Sequence, residues 1–364
     1  MMKFQIKVTS RVHRVAIGVS LIVGLVSVAG GQESDLSWSE LAPMPAAISG
    51  HFAGDSGGTL VIVGGANFPD KSPFQGGTKS WYDHIAILRP GAKSWRTGYR
   101  FPRTAAYGVS GSHNGRLICA GGGNGDTHSR DVSAITVTPT GLRIESLAQL
   151  PEPCSFTSGA VVGDSLFVVG GQTAPDSKQA MKNVWRLDLS TTEKQAWQSV
   201  DGFPGEGRIL SVVTSSADTL FVFSGASLRA GDDGAVIRDY LKDAYQYSQT
   251  DGWKELPDLP TPVVAGTAAV DGKRILVFSG DTGENFFRTA ELGDDHPGFR
   301  REVLAFDLIQ QTWSTAGTIP HGLVTTNAVS RTSNGQRSIL IPGGEDRPGH
   351  RLAKVLSLRL SNDK

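Results

Sequence analysis

The stretch Leu60-Val-Ile-Val-Gly-Gly65 decides the fold, because an apolar strand that ends in two small residues recurs along the whole chain. Five more copies follow it, at Leu117–Gly122, Leu166–Gly171, Leu220–Gly225, Ile275–Gly280 and Ile339–Gly344. Their spacing of roughly 50 to 65 residues is that of a supersecondary unit repeated in an array. The sequence therefore predicts six structural repeats.

Each repeat carries further markers around this strand. A Pro-rich segment and an alternating strand precede it, and a loop and another strand follow it, with a tryptophan at a matching place in four repeats: Trp95, Trp197, Trp253 and Trp313. A period near 50 residues, four strands and a Gly-Gly strand end resemble kelch repeats. One four-stranded unit cannot bury both of its faces, so the units must stack around an axis. We predict an all-β fold, a six-bladed kelch-type β-propeller.

The two ends of the chain predict how the ring closes. Residues 36–45 look like the last strand, tryptophan and Pro-rich exit of a repeat, whereas the sixth repeat ends after Lys354-Val-Leu-Ser-Leu without a Trp strand. Residues 36–41 are therefore expected to complete the last blade. The predicted blades are 46–96, 101–148, 150–198, 203–254, 256–314 and 319–360 plus the N-terminal strand, so that 30–364 is a single propeller domain.

Residues 1–29 follow a different pattern. Lys3, Lys7, Arg11 and Arg14 precede the apolar run Val15–Val28, which ends in Ser27-Val28-Ala29 with small residues at positions 27 and 29. This is the pattern of a signal peptide cleaved near Ala29, and the run is short for a membrane-spanning helix of about 20 residues. We expect a periplasmic or secreted protein with no stable membrane span after signal removal; an uncleaved anchor stays open.

Charge and metal-ligand spacing narrow the class of function. The formal net charge is +0 and the body of the chain has no basic block, which argues against nucleic acid as a partner. The 8 His and 2 Cys lack the spacing of a metal site, so neither a metal nor a cofactor is predicted. Cys119 and Cys154 are expected to be two buried thiols, with a disulfide as the open alternative.

The candidate chemistry lies in the sixth repeat. The loops after the Gly-Gly strands should open on one face of the propeller, and Glu345 follows the glycine pair directly, which predicts a place near the central channel. Pro348-Gly349 favours a turn that would bring Arg351 back towards Glu345. The other five repeats lack Glu and Arg at these two offsets. A purely structural ion pair is the alternative interpretation.

Four local stretches carry a closer resemblance. They are Gly64-Gly-Ala-Asn-Phe-Pro-Asp70 with Gly76-Gly-Thr-Lys-Ser-Trp-Tyr-Asp83, then Ala106-Tyr-Gly-Val-Ser110, then Phe203-Pro-Gly205 with Arg208, and finally Gly343–Arg351. Over residues 36–360 the sequence is similar to the sialic acid mutarotases, also called N-acetylneuraminate epimerases. The Glu/Arg repeat comes last, which resembles the cyclically permuted branch of that family.

The resemblance implies an isomerase that interconverts the anomers of N-acetylneuraminate or a related sugar acid without a cofactor. Glu345 and Arg351 occupy the family's acid/base positions. Arg208 is implied as a clamp for the sugar carboxylate, and Asn67, Lys79 and Tyr107 as hydroxyl contacts. The segment 281–300 is shorter than the insertion that precedes the Glu/Arg repeat in the better-known bacterial epimerases, which leaves the identity of the sugar open.

Three rival functions remain for this sequence. The first is a non-catalytic kelch propeller that binds a carbohydrate or a protein, because a fold does not fix a function. A copper-radical sugar oxidase would need Tyr, His and Cys ligands, and a sialidase would need repeated Asp-box turns. Only Ser248–Trp253 echoes such a turn. The charged and polar residues of the loops favour the small-molecule enzyme.

Overall fold

A computed structural model describes residues 36–191, 195–232, 234–333 and 335–361. The predicted signal peptide, residues 1–29, lies outside the described residues. The strands are β1 (Trp38–Glu40), β2 (Phe52–Ser56), β3 (Thr59–Val63), β4 (Ala66–Asn67), β5 (Ser80–Trp81), β6 (His84–Leu88), β7 (Arg96–Arg100), β8 (Val109–His113), β9 (Arg116–Ala120), β10 (Val132–Val137), β11 (Leu142–Ser146), β12 (Ser158–Val162), β13 (Ser165–Val169), β14 (Val184–Asp188), β15 (Gln198–Ser199), β16 (Val212–Ser216), β17 (Thr219–Phe223), β18 (Ala226–Ala230), β19 (Val236–Tyr240), β20 (Ala244–Ser248), β21 (Gly252–Leu256), β22 (Thr267–Asp271), β23 (Arg274–Phe278), β24 (Glu302–Asp307), β25 (Trp313–Thr318), β26 (Val329–Ser333), β27 (Gln336–Pro342), β28 (Glu345–Arg347), β29 (His350–Arg351) and β30 (Val355–Arg359).

Six four-stranded antiparallel sheets are the blades of the predicted propeller. In chain order they are β2-β3-β6-β7, β8-β9-β10-β11, β12-β13-β14-β15, β16-β17-β20-β21, β22-β23-β24-β25 and β26-β27-β30-β1. Three hairpins, β4-β5, β18-β19 and β28-β29, stand outside the blades. Short helical turns lie at Pro73–Gln75, Phe286–Arg288, Thr289–Leu292 and Gly293–Asp295. The all-β, six-bladed prediction is confirmed.

The predicted blade boundaries hold to within a few residues. Blade 1 ends at Arg100 rather than at 96, blade 4 at Leu256 rather than at 254, and blade 5 at Thr318 rather than at 314. The errors fall on outer strands, whose residues are largely exposed and carry a weak hydrophobic pattern. Inner strands such as Leu60–Val63 are buried on both faces and their predicted positions are correct.

The N-terminal strand closes the ring, as the two chain ends predicted. Strand β1 pairs antiparallel with β30, and Trp38 lies opposite Leu358. The Trp38 ring also packs edge-on against Phe278 of blade 5, with 5.8 Å between ring centres. The last blade is therefore built from both ends of the chain, and β1 is its outermost strand, which covers the outer edge of β30.

The hydrophobic core lies between neighbouring blades rather than inside any one of them. Val61 and Val63 of blade 1 pack with Leu117 and Cys119 of blade 2 in one buried cluster. Both cysteines are free and buried, so the expectation of two buried thiols is confirmed. Burial raises the pKa of the Cys154 thiol to about 12, which keeps it protonated and unreactive.

Tryptophans at the outer strands join four of the six blades to the exit of the blade before. The indole Nε1–H groups donate to backbone carbonyls in four blades: Trp38 to Thr318 at 3.0 Å, Trp95 to Ala42 at 2.9 Å, Trp197 to Ala148 at 2.9 Å and Trp313 to Pro257 at 2.8 Å. Trp253 is the exception, because its buried Nε1–H has no hydrogen-bond partner. The repeated tryptophan thus links neighbouring blades through an indole hydrogen bond.

A ring of backbone hydrogen bonds surrounds the propeller axis. One residue per blade adopts the left-handed conformation, with φ from +52° to +66°: Gly50, Tyr107, Phe156, Leu210, Ala265 and Thr325. Five of these residues donate their N–H group to the carbonyl of the ring member in the preceding blade, at 2.7 to 2.9 Å: Tyr107 to Gly50, Gly50 to Thr325, Thr325 to Ala265, Ala265 to Leu210 and Leu210 to Phe156. A cavity of about 80 Å³ lies against this ring.

The ring also fixes the position of one further residue in every blade. The residue before each ring member pairs with the residue that follows the Gly-Gly strand end: Ser49 with Ala66, Ala106 with Gly123, Ser155 with Gln172, Ile209 with Ala226, Val264 with Asp281 and Val324 with Glu345. The residue after the glycines is therefore paired with the residue that precedes a ring member, close to the propeller axis. For blade 6 that residue is Glu345.

The indole hydrogen bonds between blades predict that Trp→Phe destabilises the protein to different extents at two positions. Trp95→Phe removes the bond to Ala42 and should lower the free energy of unfolding by about 1 kcal/mol more than Trp253→Phe, which removes an unpaired N–H. Denaturant unfolding of both variants measures the difference. Equal losses would show that the indole bonds do not fasten the blades.

Candidate active site

Glu345 and Arg351 face each other across a short hairpin. They are directly opposite residues of β28 and β29, and the connecting turn places Gly349 at φ +83°. Glu345 Oε1 accepts a hydrogen bond from Arg351 Nη1 at 3.0 Å and another from the Gly349 N–H at 2.7 Å. The predicted return of the chain across Pro348-Gly349 is confirmed.

This pair is buried between blades 6 and 1. The Arg351 side chain is 6% exposed and that of Glu345 is 13% exposed. Two groups of blade 1 hold the guanidinium: Ser49 Oγ accepts from Arg351 Nε at 3.1 Å, and the Phe68 ring centre lies 4.9 Å from its carbon. Arg351 is therefore fixed by contacts on two blades.

The electrostatics leave Glu345 easier to protonate than an ordinary glutamate. Burial raises the pKa of Glu345 above the usual 4.5, and the charge of Arg351, the Gly349 N–H and the charge of Lys79 oppose that rise. Desolvation destabilises the ionised form more than these groups stabilise it. A carboxyl group with a raised pKa is a stronger base than an ordinary glutamate and can accept and return a proton.

Lys79 and Tyr107, both predicted as substrate contacts, lie together beside this pair. Lys79 Nζ lies 4.5 Å from the centre of the Tyr107 ring and 5.2 Å from that of Trp81. Tyr107 is a member of the backbone ring, and its side chain stacks on Phe156 with 4.7 Å between ring centres. The structure thus places a lysine charge and an aromatic surface next to Glu345.

Asn67 lies near Arg351, but its amide group is already used by the protein. Its Nδ2 donates to the Ala47 carbonyl at 3.0 Å, and its Oδ1 accepts from the Tyr82 hydroxyl at 2.7 Å. Asn67, Phe68 and Arg351 border a surface cleft of about 550 Å³. The amide can shape this cleft while keeping both of its protein partners.

The structure does not bring Arg208 into the cluster. Its side chain is 0% exposed and forms two bonds of 2.7 Å with the carboxylate of Asp243. Blade 2 contains the same device, because Arg103 binds Asp131 and the Gly121 carbonyl. Arg208 therefore has the contacts of a repeated structural ion pair, and its geometry gives no support to the predicted carboxylate clamp.

A loop of blade 5 reaches over the same cleft. Gln75 Nε2 of the blade 1 loop donates to Asp294 Oδ2 at 2.6 Å, and Asp294 lines the cleft. The Phe299 N–H also donates to the Asp346 carbonyl at 2.8 Å, beside Glu345. The segment 281–300, although short, covers part of the site.

Sequence reasoning assigned no role to one pair of residues on this face. Asp281 follows the glycine of blade 5 at the position that Glu345 has in blade 6, and its Oδ2 accepts from the Tyr240 hydroxyl at 2.6 Å. Aligning the residue after each glycine pair would have shown an acid at both places. Tyr240 had no such signal, because its partner lies 41 residues away in sequence.

No group of three or more His, Cys, Asp or Glu side chains among the described residues is arranged to hold a metal ion. None of the helices in that part of the chain is long and apolar enough to cross a membrane.

A protein-family model and several known proteins are similar in sequence to this chain. The model of the N-acetylneuraminate epimerase (NANM) family matches residues 147–292. The resemblance to the N-acetylneuraminate epimerases is confirmed. An N-acetylneuraminate epimerase of Yersinia pestis (strain Pestoides F) is 30% identical over 235 residues, which cover 58% of this chain and 57% of that protein. One of Salmonella typhimurium (strain LT2) is 24% identical over 64% of this chain and 62% of its own length.

A solved structure supports the fold of this epimerase-like chain. The structure of YjhT superimposes with a TM-score of 0.64 at 15% identity, covering 89% of this chain and 98% of that one. The chain matches less than two thirds of the length of the curated epimerases. The family match ends before Glu345, so the cyclic permutation stays a prediction.

Removing the arginine of the pair should make stability strongly pH-dependent. In Arg351→Gln the ionised Glu345 is buried without a counter-charge, which we expect to cost about 3 kcal/mol at neutral to alkaline pH. The pKa of Glu345 is raised in the folded state, so protonation relieves this cost at low pH, and stability is lost as pH rises through that pKa.

Urea unfolding at about pH 4 and about pH 8 measures this dependence. The double variant Glu345→Gln/Arg351→Gln is the control, and its loss should be similar at the two pH values. An Arg351→Gln loss that is equal at both would show that Glu345 is not the titrating group.

Proposed function

We propose that this protein interconverts the anomers of N-acetylneuraminate or of a closely related sugar acid. The observation that carries the proposal is the buried Glu345, whose pKa is raised by its surroundings and whose carboxylate is held by Arg351. The curated relatives are named N-acetylneuraminate epimerases, which supports the choice of substrate class.

The chemistry needs one proton removed and one proton delivered. A base takes the proton of the anomeric hydroxyl, its electron pair forms the carbonyl bond, and the bond from the anomeric carbon to the ring oxygen breaks. The ring oxygen takes up a proton as this bond breaks, and the open chain recloses on the other face by the reverse steps. Glu345 is the group that takes and returns the proton.

Arg351 contributes charge rather than proton transfer, because a guanidinium does not lose its proton in proteins. Its bonds to Glu345 and Ser49 use two of five N–H donors. Among the described residues, no other acceptor binds the remaining donors, which can hold the sugar carboxylate or the developing oxyanion. Lys71 and Arg347 border the same cleft and add positive charge for an acidic sugar.

Export accompanies this proposal. We propose a periplasmic or secreted enzyme, on the basis of the basic, apolar and small-residue order of residues 1–29. Cleavage after Ala29 would leave Gly30 as the first residue, which N-terminal sequencing of the mature protein reads directly.

Glu345→Gln should abolish catalysis of anomer exchange. Saturation-transfer NMR on equilibrated N-acetylneuraminate measures the α/β exchange rate with and without protein. We expect the catalysed part of that rate to fall by about 100-fold or more, because the amide cannot accept the proton. Asp346→Asn, a neighbouring carboxylate-to-amide change, is the control and should keep most of the activity.

A folded Glu345→Gln protein with wild-type exchange would contradict the assignment. A wild-type protein that binds the sugar and leaves its exchange rate unchanged would favour the non-catalytic binding propeller instead. Thermal unfolding of each variant establishes that it is folded.

A further inference from the structure

A second carboxylate occupies the place next to Glu345 on the backbone ring. Asp281 pairs with Val264 as Glu345 pairs with Val324. The ring residues that follow these partners are joined directly, since the Thr325 N–H donates to the Ala265 carbonyl at 2.8 Å. Blades 5 and 6 therefore present two acids at equivalent, neighbouring positions on one face.

Asp281 is held by contacts that resemble those of Glu345 in part. Its Oδ1 accepts from the Gly283 N–H at 2.9 Å, as Glu345 accepts from Gly349. Where Glu345 has an arginine, Asp281 has a tyrosine, because its Oδ2 accepts from the Tyr240 hydroxyl at 2.6 Å. Within the described part of the chain Asp281 forms no ion pair, and the nearest cationic influence on the pair is that of Arg238 on Tyr240.

The Tyr240 hydroxyl can contact a ligand as a hydrogen-bond acceptor. It ends the β18-β19 hairpin of blade 4, and its hydroxyl gives its single hydrogen to Asp281. Burial, followed by the charge of Asp281, raises the pKa of the Tyr240 hydroxyl and keeps it protonated. The Arg238 guanidinium interacts with the same oxygen. A remaining lone pair can only accept a hydrogen bond, which a sugar hydroxyl or amide N–H can donate.

The surroundings of this pair are those of a binding surface. Tyr240 packs in the same apolar cluster as Val324, the backbone partner of Glu345. The Arg238 guanidinium lies 5.0 Å from the Phe286 ring centre, and its buried Nε has no hydrogen-bond partner. Both Tyr240 and Asp281 are half-buried, so solvent reaches them from the loop face.

A second Tyr-Asp pair in the chain shows what a purely structural version looks like. Tyr245 donates to Asp243 Oδ2 at 2.9 Å, but Asp243 also holds both terminal nitrogens of Arg208. Tyr245 is buried, and the protein compensates the charge of Asp243 with a buried arginine. Among the described residues no arginine binds the Asp281 carboxylate in this way, so its oxygens can still accept hydrogen bonds from a ligand.

We propose that Tyr240 and Asp281 form a second substrate contact, which accepts hydrogen bonds from a hydroxyl or amide group remote from the reacting anomeric carbon. The proposal rests on the proposed sugar-acid function and extends it to specificity. The pair lies on blades 4 and 5 and accepts hydrogen bonds. It therefore selects polyhydroxylated sugars whose hydroxyl or amide groups reach the pair while the sugar carboxylate is bound at Arg351. Sugars without such a donor lose this contact.

Tyr240→Phe is the test, and Tyr245→Phe is its matched control, because each removes one tyrosine hydroxyl from one aspartate. Calorimetric titration with N-acetylneuraminate measures the dissociation constant of each folded variant. We expect about a fivefold or greater weakening for Tyr240→Phe and less than about a twofold change for Tyr245→Phe. Two analogues, one without the glycerol side chain and one without the N-acetyl group, show which group reaches Tyr240. The analogue that lacks this group should bind Tyr240→Phe and the wild-type protein equally well.

Unchanged binding of N-acetylneuraminate by Tyr240→Phe would overturn the inference, as would equal weakening in both variants. The proposed function fails separately, when the wild-type protein binds the sugar without accelerating anomer exchange. In that case a selective effect of Tyr240→Phe on binding would still support the second contact. A wild-type protein that binds no sugar acid would refute both proposals.

Discussion

The backbone ring around the propeller axis is the constraint on which the candidate site depends. Five of its six members are not glycine, and the left-handed conformation costs such residues roughly 1–2 kcal/mol each. The five hydrogen bonds between blades offset this strain and hold the ring in register. Because the residue before each ring member pairs with the residue after the glycines, the ring places one residue of each blade at an equivalent position. Five blades can vary there while blade 6 keeps Glu345 beside the axis.

The Glu345–Arg351 pair is better explained by chemistry than by stability. Replacing a buried ion pair with apolar residues of similar volume is often neutral or stabilising, so such a pair adds little to folding. What it does provide is a carboxyl group with a raised pKa in a fixed position, with a guanidinium bound to its oxygen. The stacked Tyr107 and Phe156 and the charge of Lys79 complete a surface that is partly apolar and partly cationic. A sugar acid presents the complementary combination of groups.

The repeat made the fold predictable, whereas contacts between distant residues limited the prediction of the site. The six strands that end in Gly-Gly or Ser-Gly and the unpaired chain ends predicted the blades and their closure by residues 36–41. Pro348-Gly349 predicted the hairpin that joins Glu345 to Arg351. Arg208 could not be assigned from its motif, because its partner Asp243 lies 35 residues further along the chain. The Tyr240–Asp281 contact joins two different blades, so no local pattern indicates it.

The pH dependence of catalysed anomer exchange tests the role of Glu345 most directly. If Glu345 is the base, kcat/KM should fall with decreasing pH through a midpoint above the usual glutamate pKa of 4.5, because burial raises the pKa of this carboxyl group. A ¹³C NMR titration of the Glu345 carboxyl carbon in the wild-type protein should give the same midpoint. An exchange rate that stays constant through the NMR midpoint would contradict the assignment of Glu345 as the proton-transfer group.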